Sequence, residues 1–115
     1  MKIPKRLNIF STMYDVVVVD KLNDVDVDGE KYLWGSILYD DCEIRIYKAK
    51  DNSARDVQTL FHEIIHAIMN KTTIEKYISE KYREDFIDVL ATGLFDTLER
   101  NGLLADGHCE AKTDS

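Results

Sequence analysis

The hydrophobic period of this chain changes once, and the change falls at Ser53. Before it, apolar residues form short β-branched runs or alternate with polar ones. Tyr14 to Asp20 reads YDVVVVD, Tyr32 to Tyr39 continues in the same style, and from Cys42 to Tyr47 the isoleucines Ile44 and Ile46 alternate with Glu43 and Arg45. A period of two sends successive side chains to opposite faces of a strand, so one face of this half can be buried while the other stays wet. After Ser53 the apolar residues Val57, Leu60, Phe61, Ile64, Ile65 and Ile68 fall three and four apart, on one broad helical stripe. A sheet with one apolar face and a helix with an apolar stripe can each be buried only against the other, so the pattern predicts an α+β domain.

Local signals set the boundaries. Ser53 with Asp56 makes a capping-box-like helix start. A polar connection, KTTIEKYISEK, leads to a second stripe of Phe86, Ile87, Leu90, Ala91, Leu94, Phe95 and Leu98, closed by Asn101-Gly102. Asp40-Asp41 and Asp28-Gly29 are the predicted hairpin turns. A chain of 115 residues with 44% hydrophobic content has room for one core. One domain over 1–104 is therefore expected, with 105–115 as a polar, disordered tail.

Fifteen Lys and Arg stand against 22 Asp and Glu, a net charge of -7. That balance repels phosphate backbones and anionic lipid alike, which argues against nucleic acid and membrane as direct partners. The opening MKIPKRLNIFSTMY lacks the apolar core of a secretory signal, and no apolar run reaches bilayer length, so a cytoplasmic protein is expected. Cys42 and Cys109 lie far apart and are read as reduced thiols.

The helical half carries the chemistry. In TLFHEIIHAIMN, Thr59 to Asn70, His62 and His66 stand one helical turn apart, so both imidazoles leave the same face and can share one tetrahedral metal. A buried helix can also carry two hydrogen-bonded histidines; the glutamate between them is what specifies the chemistry. Glu63, offset by one residue, points away from direct ligation and toward the water that such a metal holds, where it can act as general base.

Two histidines leave zinc one protein ligand short, with the fourth position kept for water. The metzincin extension requires Gly at 69 and His at 72; Met69 and Thr72 exclude it. The remaining candidates are the carboxylates Glu75, Glu80, Glu84, Asp85 and Asp88. Glu84 and Asp88 stand one turn apart, and Glu84 shares the side of Ile87 and Ala91, whereas Glu80 lies a turn earlier, near the helix start. Asp88 could accept the remaining ring N–H of a ligating histidine.

YDVVVVD, WGSILYDDCEIRIYKAK, TLFHEIIHAIMN and EDFIDVLATGLFDTLERNG together resemble the small ImmA/IrrE-like zinc metallopeptidase domains of phages and mobile elements. The likeness runs from about Ile3 to Gly102, and HEIIHAI is its specific part. It implies a gluzincin-like site with His62, His66 and Glu84 on zinc, Glu63 as catalytic base and Asp88 behind. It also implies a short antiparallel sheet packed on the active-site helix. The expected function is hydrolysis of a peptide bond in a protein or peptide, with an edge strand such as Cys42 to Tyr47 holding the extended substrate. The alternative is a zinc-stabilised module of a mobile element that binds a protein without cleaving it.

Weaker signals have plainer readings. Asp24, Asp26, Asp28 and Gly29 imitate the first half of a calcium loop, but its twelfth position is Gly35 instead of a bidentate Glu, so an acidic turn is favoured. His108 and Cys109 could reach the metal, yet they sit in a polar tail and read as solvated. Tyr77 and Tyr82 are candidate donors to an oxyanion, with solvent exposure or packing as the simpler role. Trp34 is read as hairpin or core packing.

Overall fold

The strand-rich half precedes the helical half, as the change of period predicts. The computed structural model describes residues 2–21, 34–48 and 53–105. Its strands are β1 (Arg6–Ile9), β2 (Thr12–Val19), β3 (Gly35–Leu38) and β4 (Glu43–Tyr47); its helices are α1 (Ser53–Thr72) and α2 (Glu80–Arg100), joined through a 3₁₀ turn at Ile74–Tyr77. The fold is α+β, as expected. The acidic stretch with Asp24, Asp26, Asp28 and Gly29, the start of the Tyr32 segment, the Ser53 side chain, and His108 with Cys109 in the tail lie outside the described residues.

The sheet corrects the expectation of a wholly antiparallel arrangement. Its order is β1-β2-β4-β3, and it is mixed: β1 with β2 and β3 with β4 are antiparallel, but β2 runs parallel to β4. Burial explains why β4 sits inside. Ile44 and Ile46 have no solvent exposure at all, the deepest alternation in the sheet, whereas β3 is four residues long and begins with glycine. The strand with most to bury takes the covered middle and the short one takes the edge. Cys42 to Tyr47 is consequently an interior strand, not the edge suited to substrate.

β1 was not apparent in the sequence because its alternation, Leu7 and Ile9 inward, spans only four residues. It joins β2 through Phe10-Ser11, both at positive φ (48° and 67°), the backbone that a two-residue type I′ hairpin demands and that usually selects Asn-Gly. The Asp40-Asp41 turn is where it was expected, closed by Cys42 N–H donating to Tyr39 C=O at 3.3 Å.

α1 is held on two sides. Leu60 and Ala67 pack with Ile9, Tyr14, Val16, Ile44 and Ile46 over the sheet, while Val57, Phe61, Ile65 and Met69 pack with Ile87 and Ala91 of α2. α2 buries less of its stripe than its pattern suggests: Ile87 and Ala91 are covered and Phe95 and Leu98 partly so, but Phe86, Leu90 and Leu94 remain exposed. Only one side of α2 meets α1. Its end is a complete Schellman cap, with Gly102 at φ 71° donating to Glu99 C=O and Leu103 N–H to Leu98 C=O. Among the described residues no helix is long and apolar enough to cross a membrane.

Candidate metal centre

Successive residues of a helix point about 100° apart, so the two packed sides of α1 leave a third for a cleft. On that side stand Arg55, Gln58, Thr59, His62, Glu63 and His66; across it stand Glu84, Asp88 and Thr92 of α2, with Trp34 to Ile37 and Tyr39 as the third wall. The cleft holds about 930 Å³, at the upper end of the size usual for ligand sites.

At its centre three side chains converge. His62 Nε2 lies 2.8 Å from Glu84 Oε1 and 3.1 Å from His66 Nε2, and His66 Nε2 lies 3.4 Å from Glu84 Oε2. These residues form a group able to hold a metal ion. Ligand bonds of roughly 2.0–2.1 Å in a tetrahedron separate ligand atoms by about 3.3 Å, close to the spacings observed. Two ring nitrogens and a carboxylate aimed at one point call for positive charge between them, from a proton or a metal. The residues fit such an ion.

Asp88 takes the place foreseen for it: its Oδ1 is 2.7 Å from His62 Nδ1. An Nδ1–H donated to Asp88 leaves the Nε2 lone pair directed at the shared point. The carboxylates also set the charge of the ring. Burial works to lower the His62 pKa, but the Glu84 hydrogen bond and the negative charges of Glu63, Glu84 and Asp88 prevail and raise it. Hydrogen bonds from both histidines hold the Glu84 carboxyl well below its ordinary range.

Glu63 sits apart from the trio, as its one-residue offset requires. It is buried, pointing toward the sheet edge, and burial raises its carboxyl pKa against the pull of His62 and His66. A carboxylate so placed at the cleft floor is disposed to take up a proton. The second helix is brought into register by Gln58 Nε2 donating to Thr92 Oγ1 at 2.8 Å, and by Arg83, whose guanidinium donates to the carbonyls of Glu75 and Ile78 and so braces the connection just before Glu84.

Of the other carboxylates considered, Glu80 lines the cleft but is not one of the converging three, and Glu75 and Asp85 do not line it. Tyr77 and Tyr82 are exposed and outside the cleft lining. The tyrosine inside is Tyr39, which sequence reasoning missed. Its hydroxyl donates to His66 C=O at 3.3 Å, and burial, with the charges of Glu75 and Glu63, pushes its pKa up to about 12. Nothing in the spacing marks it, because it reaches α1 only through the β3–β4 turn. Trp34 lies against Tyr47, the rings tilted by 40° with centroids 5.5 Å apart, and carries the Arg55 guanidinium 4.2 Å above its ring. This is packing across the β3–β4 hairpin, as expected for it, and the same residue lines the cleft.

Set against family models, curated proteins and solved structures, the chain matches none of them. The reading of the site therefore rests on its own residues.

Proposed function

We propose that this protein is a zinc-dependent metallopeptidase that hydrolyses a peptide bond in a protein or peptide. The observation that carries the reading is the convergence of His62, His66 and Glu84 on one point of a cleft whose floor is the buried carboxylate of Glu63. His62, His66 and Glu84 would hold the ion, and Asp88 orients the His62 ring. Zinc bound there supplies Lewis acidity to the scissile carbonyl and to the attacking water. Glu63 accepts the proton of that water and passes it to the leaving amine. Tyr39 stays a hydroxyl donor at neutral pH and holds the carbonyl of His66, fixing the helix turn that bears the second histidine. β3, the edge strand of the sheet among the described residues, lies along the cleft and would offer backbone groups to an extended substrate by strand addition.

Two imidazoles and one carboxylate are a donor set that catalytic zinc takes, and Glu63 beside them supports zinc hydrolysis. The resemblance to ImmA/IrrE-like domains, a phage or mobile-element origin and a cytoplasmic location belong to the same proposal. Elemental analysis of protein purified without chelators should find about one zinc per chain, as one site of three protein ligands and water requires. In a proteomic cleavage screen, the loaded protein should cut substrates that its Glu63→Gln form, still folded and metal-bound, leaves whole. If both forms capture the same protein and neither cuts it, the domain is instead a zinc-stabilised binding module.

A further inference from the structure

Gly35 opens β3 on the inward face of the sheet, paired with Ile46 of β4. The next inward position on the same strand, Ile37, carries a full side chain. At Gly35 the backbone is not in the left-handed region, so conformational freedom does not explain the glycine. Space does. A Cβ at this position would stand 2.6 Å from Thr59 Cγ2, 3.1 Å from the carbonyl oxygen of Arg45 and 3.2 Å from Glu63 Oε2. Neither wall yields readily: Thr59 is short and stiff at χ1, it lies on the helix clamped between two cores, and Arg45 C=O belongs to the central strand.

We propose that Gly35 is a positioning residue for Glu63: its missing side chain is the slot in which the sheet edge closes on α1 and confines the carboxylate at the cleft floor. Its consequence for turnover rests on the peptidase reading above; its consequence for the carboxylate does not. A methyl group here meets Thr59 and Glu63 together, and relieving the first contact leaves the second. With the Arg45 carbonyl fixed at 3.1 Å on the other side, the carboxylate at 3.2 Å is the group left to give, by a few tenths of an ångström.

The test compares the zinc-loaded Thr59→Ser protein with the Gly35→Ala, Thr59→Ser double variant, since Gly35→Ala alone carries the 2.6 Å clash and can fail to fold. The expected result is a folded double variant with metal affinity within about twofold of its reference, a Glu63 carboxylate displaced by a few tenths of an ångström in its crystal structure, and kcat lowered about three- to fivefold with KM within about twofold. A displacement of about 1 Å costs up to 10²-fold in rate, so a few tenths of an ångström cost about three- to fivefold, and a fall confined to kcat marks lost transition-state contact. A carboxylate that stays in place overturns the proposal whatever the rate, and so does an unchanged kcat with the carboxylate displaced. If the reference protein itself cleaves nothing, the peptidase reading falls, and the carboxylate position alone decides the role of Gly35.

Discussion

The two helical walls of the cleft are built on different principles. On the α1 wall the side chains of His62 and His66 are 19% and 24% exposed, and the helix beneath them is gripped by apolar clusters on two sides. On the α2 wall Glu84 and Asp88 are about three-fifths exposed, at 62% and 61%, and what holds them is their attraction to the histidine rings. Packing places the histidines before any ion or substrate arrives. The carboxylates are placed by charge, on a helix whose register is set by Ile87, Ala91 and a few polar ties. One wall should therefore fail by unfolding and the other by losing affinity.

The largest effect is expected on the packed wall. Leu60 has no solvent exposure and joins α1 to the sheet, so Leu60→Ala should cost about 2–5 kcal/mol of stability, measured by denaturant unfolding of the metal-free protein. A cost under about 1 kcal/mol would show that packing does not hold this wall. Next comes the charged wall: if Glu84 is the third ligand proposed above, Glu84→Ala should leave the metal-free fold intact but weaken zinc by about 100-fold or more in a competition titration, since one of three protein ligands would be lost. Glu80→Ala, in the same cleft but outside the converging three, should do neither. Zinc loss in the Glu80 variant with none in Glu84→Ala would move the third ligand one turn back. Asp88→Asn should weaken zinc by about 10 to 100-fold, the usual cost of losing a carboxylate behind a ligating histidine.

The smallest effect sharpens the comparison where the walls meet the hairpin. The folded pKa of Tyr39, about 12, lies above its ordinary 10.0, so the folded state keeps a proton that the unfolded chain releases first. The stability tied to that proton is complete below pH 10 and drains away as pH rises toward 12. Tyr39→Phe should flatten this part of the alkaline unfolding profile. An unaltered slope would mean that the hydroxyl is not held in the cleft as described.

Much of this arrangement was legible from local pattern. The change of period at Ser53, the Asp40-Asp41 turn and the Asn101-Gly102 stop each correspond to an observed feature, because each depends on a few neighbouring residues. The parallel pairing of β2 with β4 was not legible: it depends on which strand buries most once α1 covers the sheet, a property of the assembled layers. β1 escaped for a related reason, its hairpin being built on Phe10 and Ser11 at positive φ without the usual turn residues.

The same division runs through the site. Helical geometry alone puts His62 and His66 on one face with Glu63 a step aside, so the sequence by itself determined that half of the centre. It also narrowed the third position to a handful of carboxylates and put Asp88 one turn beyond Glu84. Only the tertiary structure decided that Glu84 closes the trio while Glu80 does not, that Tyr39 enters the cleft, and that β3 instead of β4 borders it. These depend on the packing of α2 against α1 and on the strand order of the sheet. Contacts between residues distant along the chain leave no periodic trace in it, because the forces that choose among them act only after the layers have come together.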